Sequence, residues 1–256
     1  MSDTDVADLV GALRPVLQRH GLEEHAGLLG QVGPHAVLPP EAPGDLAVLD
    51  QLPEACESAD RADAGLADVV RRLAPRAVWT QTARYLEHPP SPTFLDGYAH
   101  ATLVGPPDGG TASDTRTAVS VGLLLLGRDV HYPPHHHPAD EVYVPLGDAD
   151  WLDDDATTYR ARPGGIPLHH RPWQPHAMRT GSRPLLAVYL WSGDVTTPSR
   201  WCGSSDEPAD GHVVGPGFDV SSRFDVRPSH RVDRASLVEP DLDLLDVELL
   251  GRTGPG

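Results

Sequence analysis

The sequence contains no lysine, and all 20 of its basic residues are arginine. This absence excludes a lysine Schiff base and the ammonium of a phosphate-binding loop, and it confines any catalytic base to tyrosine, histidine or a carboxylate. Cysteine is almost as scarce. With only Cys56 and Cys202 the chain has no disulfide framework and no thiolate zinc site, and room for at most one disulfide. Positive charge is sparse overall, with 20 basic against 37 acidic residues and a formal charge of −17. The arginines are not clustered, so a polyanion such as nucleic acid would be repelled. Long apolar runs are missing too. The most apolar stretch, Val119 to Leu126, falls far short of the ~20 residues that span a bilayer. Met1 to Asp5 is acidic where a signal peptide is basic, and no apolar segment follows. A cytoplasmic protein is expected, with neither nucleic acid nor membrane as partner. What is present, 256 residues of which 39% are hydrophobic, suffices for one sizeable core.

The first part of the chain reads as helical. Val6, Leu9, Val10, Leu13, Val16 and Leu17 recur at the spacing that places them on one helical face, with Gly21 as the stop. Pro15 lies inside this pattern and is expected to kink or split the helix. Leu66, Val69, Val70 and Leu73 make a second stripe that Pro75 ends. Gly33 to Pro43, between them, reads as a loop. From about Trp79 the apolar segments become short and are bounded by Pro, Gly and Asp, the pattern of strands joined by turns. The expected strands are Thr117–Leu126, Glu141–Pro145, Ala149–Leu152, Thr157–Arg162, Ile166–His169, His176–Arg179 and Leu185–Trp191, which suit an antiparallel barrel or sandwich. Gly203 to Pro208 reads as a solvated linker, and Leu237 to Leu250 alternates apolar with acidic residues without a decisive period. Three parts follow: a helical segment over 1–76, an all-β barrel over 77–195, and a partly irregular extension over 196–256.

Histidine is where the sequence is unusual. Seven of its 14 histidines lie between His131 and His176, far more than an even spread would place there. On a strand, His135 and His137 point to one face and His136 to the other. A turn through Pro138 to Asp140 starts a new strand at Glu141, where Glu141 and Tyr143 again share a face. If the two strands pair, the two sets converge. Imidazole nitrogen with a carboxylate oxygen suits a divalent transition metal such as Zn, Fe, Mn or Ni, with positions left open for substrate. His176 supplies the remaining protein ligand from a later strand. His131, His136, His169 and His170 are expected to be structural or surface residues.

The segment His135-x-His137-x3-Glu141, the interval containing Pro163-Gly164, and Pro175-His176 together resemble the two-motif pattern of the cupin superfamily. The similarity extends through Phe94 to Tyr98, Gly122 to Gly127, Tyr132-Pro133, Glu141-Val142-Tyr143, Gln174 to Thr180 and Tyr189 to Asp194. This run resembles the cupin-type dimethylsulfoniopropionate lyases. The resemblance implies a jelly-roll barrel, the double-stranded β-helix, with an N-terminal helical segment. It also implies one divalent metal per chain held by His137, Glu141 and His176, with His135 and Tyr143 at or beside the metal and Tyr132 close to substrate. The partners so implied are a small-molecule substrate and, at most, a second copy of the chain. The implied reaction is a β-elimination in which a base removes the proton alpha to the carboxylate and dimethyl sulfide leaves, giving acrylate. Tyr143 is the candidate base and Tyr132 the second, since a cation beside a phenol lowers its pKa from about 10. A sulfonium group favours aromatic ring faces. Trp191 and Tyr98 are the expected contacts, from a set that includes Trp79, Tyr85 and Trp173. Two other readings share the ligand set: a cupin dioxygenase or isomerase acting on a small carboxylate or sugar, and a non-catalytic cupin that only binds a small molecule.

Overall fold

A computed structural model describes residues 2–32, 45–61, 63–105, 119–152 and 157–202. The chain divides into two compact units, Met1–Val220 and Ser221–Gly256. The second unit, the loop at Gly33 to Pro43, the linker at Gly203 to Pro208 and the stretch Leu237 to Leu250 lie outside the described residues.

Helix α1 (Asp3–Arg19) begins with a capping box, in which Ser2 and Asp5 each accept the other's backbone N–H. It buries Leu9, Leu13, Val16 and Leu17 and stops before Gly21, whose φ of +74° suits glycine. Contrary to expectation, Pro15 does not split it. The carbonyl that loses its partner belongs to Gly11, which is exposed, so water can satisfy it. After α2 (Glu23–Leu28) and α3 (Leu52–Glu57), α4 (Ala64–Leu73) is capped by Asp63 and buries the expected Leu66, Val69, Val70 and Leu73. A short α5 (Ala83–Glu87) leads into the barrel. Cys56 and Cys202 are not joined by a disulfide.

Ten strands follow: β1 (Tyr98–Val104), β2 (Val119–Leu126), β3 (His131–His136), β4 (Asp140–Pro145), β5 (Ala149–Leu152), β6 (Tyr159–Arg162), β7 (Leu168–His170), β8 (His176–Arg179), β9 (Leu185–Ser192) and β10 (Arg200–Trp201). They form two antiparallel five-stranded sheets, ordered β1-β2-β9-β4-β7 and β10-β3-β8-β5-β6. Each expected strand is present among the described residues with ends within two residues of expectation, Thr117 and Ala118 lying outside the described residues. Three strands fall outside that set: β1, whose alanines and His100 blur the period-2 signal, β3, whose Pro133 and Pro134 argue against a regular strand, and the two-residue β10.

The first sheet is covered on both faces along β2, which explains why that strand is buried at every position and, apart from Ser120, carries no polar side chain. Its outer face, with Ala99, Val121, Leu123, Val142 and Val188, shares one core with the helices, through Leu9, Leu13, Leu66 and Val70. Its inner face, with Tyr98, Leu124, Tyr143 and Tyr189, shares the barrel interior with Tyr132, Trp151 and Met178. Gly122 is required inside, because a Cβ there would lie 2.3 Å from the Tyr189 ring and 2.4 Å from the Ala101 carbonyl. The turn after β3 carries the chain across the barrel. Strand β3 pairs with β8 and β10, and β4 with β9 and β7, so β3 and β4 belong to opposite sheets and do not pair as expected. Their side chains meet across the interior instead.

Candidate metal centre

Alternation along β4 sends Glu141 and Tyr143 inward and Asp140 and Val142 outward. His137 lies just past the end of β3, and its carbonyl accepts the Trp173 N–H at 2.7 Å, which ties the loop before β8 to the histidine tract. Strand β8 then begins with His176, directly opposite His135 in register. Ligating atoms of His137, Glu141 and His176 consequently fall within 4.8 Å of one another, and all three residues are buried. The Nε2 atoms of His137 and His176 each lie 3.1 Å from Glu141 Oε2.

The other ring nitrogens are already committed. His137 Nδ1 donates to the Ala139 carbonyl (3.1 Å), His176 Nδ1 to the Gln174 carbonyl (2.9 Å) and His135 Nδ1 to the Pro133 carbonyl (2.9 Å). A neutral imidazole so engaged presents a lone pair at Nε2. The buried His176 Nε2 has no hydrogen-bond partner. Burial alone would push the Glu141 carboxyl up, but His137 and His176 outweigh it and hold the group well below the usual carboxylate range. Two imidazole Nε2 atoms and one carboxylate oxygen thus converge on a single point, and with neutral rings this donor set would fit a divalent transition ion. Trp191 Nε1 donates to the other carboxylate oxygen, Glu141 Oε1, at 2.5 Å and fixes its orientation.

His135 stands beside this group, with its ring 4.1 Å from that of His176 and stacked at 4.1 Å on Tyr132. Burial first, and then His176, push its pKa well below 6.5, so the ring is neutral. Tyr98, Tyr132, Glu141, Tyr143 and Trp191 line one cavity of about 30 Å³, so four expected aromatic residues and the carboxylate share a single space. Burial pushes both Tyr132 and Tyr143 well above 10. Second to burial come the neighbouring tyrosines for Tyr132 and the charge of Glu141 for Tyr143.

Three expected aromatic residues lie elsewhere. Trp79 belongs to the helix-side core and donates to the Ala74 carbonyl. Trp173 packs edge-on against His136. Tyr85 sits behind Tyr132, hydroxyl to hydroxyl at 2.9 Å, and stacks on Trp201. The sequence reading also passed over Thr82, His100, Ser120, Tyr189 and Ser199 in the cavity wall. Tyr189 was within reach, since it shares a face with Trp191 two residues on. Thr82 and His100 carry no local signal. His170, expected to be structural or on the surface, is buried and stacks at 4.4 Å on His176.

A family model for dimethylsulfoniopropionate lyase matches residues 40–187. The dimethylsulfoniopropionate lyase DddQ of Ruegeria pomeroyi is 37% identical over 105 residues, which are 41% of this chain and 50% of that protein. The match therefore spans half of the relative's length. The crystal structure of DddQ from Ruegeria pomeroyi superposes with a TM-score of 0.59 at 26% identity, covering 78% of this chain and 98% of that one. A structure described among the DMSP lyases RdDddP and RnDddQII superposes at 0.53 with 21% identity, covering 77% and 97%, and shows the likeness of fold alone.

Proposed function

The chain belongs to the dimethylsulfoniopropionate lyase family, and from that premise we propose that it cleaves dimethylsulfoniopropionate to dimethyl sulfide and acrylate. The observation that carries this reading is that Glu141, whose carboxylate meets the ligating nitrogens of His137 and His176, lines a cavity walled by tyrosine and tryptophan. His137, Glu141 and His176 are proposed as the ligands of one divalent transition ion, Zn, Fe, Mn or Ni, with His135 between His176 and Tyr132 orienting both rings. An ion held there supplies a Lewis acid that draws charge from the substrate carboxylate and favours the phenolate of a neighbouring tyrosine.

Tyr143 is the proposed base. Its hydroxyl is opposed by burial and by the negative charge of Glu141, and that second cause fades once the carboxylate is shared with a cation. Tyr132 gains nothing comparable, because its second opponent is the surrounding tyrosines and its hydroxyl is paired with Tyr85. In the reaction the Tyr143 oxygen takes the α proton, the C–H electron pair becomes the new double bond, and the C–S pair leaves with sulfur as neutral dimethyl sulfide. The ring faces of Tyr98, Tyr132 and Trp191 attract the sulfonium, each by roughly 0.5–2 kcal/mol when water is excluded. Arginine is absent from the lining of this cavity.

Headspace gas chromatography tests the proposal. Metal-loaded protein given dimethylsulfoniopropionate should release dimethyl sulfide and acrylate in equal amounts, and silence from fully loaded protein would refute it. Oxygen uptake would indicate a dioxygenase instead, and full metal loading without product from any candidate would indicate a binding protein.

Trp191 offers a second check. Trp191→Phe keeps a ring at the cavity but removes the donor to Glu141 Oε1, so metal affinity should fall about 10–100-fold, as losses of such supporting hydrogen bonds do. Competition with a chromogenic chelator measures this, and unchanged affinity would show that the indole does not tune the carboxylate. We further propose that the protein acts in the cytoplasm, singly or as a homodimer, without nucleic acid or membrane as partner. Among the described residues no helix is long and apolar enough to cross a membrane.

A further inference from the structure

A second set of ligating atoms converges on the outer face of the same strands. Strand β4 carries adjacent carboxylates, Asp140 and Glu141, which alternation sends to opposite faces. Strand β7 carries adjacent imidazoles, His169 and His170, in the same relation. The inner pair, Glu141 and His170, belongs to the barrel centre. The outer pair meets His25 of α2. His25 Nε2 lies 2.8 Å from Asp140 Oδ1, His169 Nε2 lies 2.9 Å from the same oxygen, and the two rings are 4.7 Å apart.

We propose that His25, Asp140 and His169 form a second divalent-metal site, distinct from the barrel centre and suited to zinc. Two imidazole nitrogens and one carboxylate oxygen are the donor set for such an ion, with a further position left for water. His25 is buried, whereas Asp140 and His169 keep 29% and 33% of their side chains exposed, so one side of the cluster is open to solvent. The residues arrive from a helix and two strands, with His25 and Asp140 separated by 115 positions, so the convergence is no by-product of the local histidine tract. Among the described residues, the side-chain partners of Asp140 are these two histidines. A carboxylate only accepts, so in the metal-free state both rings place an Nε2 hydrogen on one oxygen. The other tautomer of each ring turns those hydrogens into lone pairs aimed at a shared point. An ion bound there would staple α2 to β4, the strand that presents Glu141 to the interior.

Zinc binding to the full chain tests this without reference to lyase activity. The double variant His137→Ala/His176→Ala removes two donors of the barrel set. After equilibrium dialysis against zinc it should retain one ion per chain, measured by mass spectrometry of the metal, while the unaltered chain holds two. Adding His169→Gln to the double variant should abolish the remaining zinc, and His169 is exposed enough for the fold to tolerate the change. Equal zinc content with and without His169→Gln, or no zinc in a folded double variant, would overturn the proposal. Should the double variant fail to fold, the comparison moves to the otherwise unaltered chain. There His169→Gln should lower the content from two ions to one, and an unchanged content would overturn the site.

Discussion

Replacing His176 with alanine is expected to leave a folded protein that has lost the metal of the barrel centre and nearly all dimethyl sulfide release. The reason lies in how few donors the interior offers. His137, Glu141 and His176 are the buried residues whose ligating atoms come together there, and each imidazole is held in register by its own backbone hydrogen bond. Truncation of His176 removes one of three donors and leaves Glu141 with a single imidazole to offset a buried negative charge. An ion at the proposed site would supply Lewis-acid stabilisation of the charge that develops on the substrate as its α proton is removed, worth several kcal/mol. A loss of about 4 kcal/mol corresponds to roughly 10³-fold in rate. Metal content and headspace sulfide, measured on the same samples, should fall together, and His137→Ala should behave alike. His136→Ala is the control, since His136 is turned away and packs against Trp173; its metal content should be unchanged. If both His137→Ala and His176→Ala kept their full metal, the ligand assignment would fail. Because a second ion is proposed at His25, Asp140 and His169, the metal should be counted before and after a brief chelator wash, which empties the solvent-open site first.

Much of this site was legible because strand alternation is a rigid rule. The spacing of two between Glu141 and Tyr143 assigns that pair to one face of β4, whereas His137 lies past the end of β3 and is brought beside Glu141 by the turn that follows. Spacing alone leaves open whether those two strands pair side by side, and they do not. A tight turn between strands suggests a hairpin, yet here the chain passes from one sheet to the other, and only tertiary packing decides between those outcomes. Pro15 shows a similar limit. Sequence identifies a residue that cannot donate, but whether a helix tolerates it depends on whether the orphaned carbonyl faces water. His25 was the least legible of all, a lone histidine on a six-residue helix whose partners lie more than a hundred positions away. The resemblance to a lyase family in turn rested on the segments that wall the cavity. The second, outward set of ligands on β4 and β7 became visible only once the helices were placed against the sheet.

Tyr143→Phe should separate metal binding from turnover. The substitution removes one oxygen from the inner face of β4 and leaves the ring against Trp151 and His170, so fold and metal content should be retained. If the Tyr143 oxygen takes the α proton, sulfide release should fall by about 10²–10⁴-fold, the range for loss of a positioned base, with a much smaller change in KM. Tyr132→Phe provides the contrast. Its hydroxyl is engaged with Tyr85 at 2.9 Å and its ring is stacked on His135, so the loss of that oxygen should act through packing and substrate seating, with a smaller effect on kcat. The order of the two variants decides the assignment. A larger kcat loss for Tyr132→Phe would transfer the role of base to Tyr132, and near-normal turnover in both would point to a base other than tyrosine. Absence of lysine gives this comparison its force. With no lysine in the chain and no arginine among the described residues that line the cavity, the other bases there are His100 in the wall, the imidazoles proposed to bind metal or to support it, and Glu141, which both histidines hold below the usual carboxylate range and the Trp191 indole holds in place. The phenol of Tyr143, which shares its strand and face with that carboxylate two residues along, is the group proposed to move the proton, and His100 is the imidazole to test next if both tyrosine variants stay active.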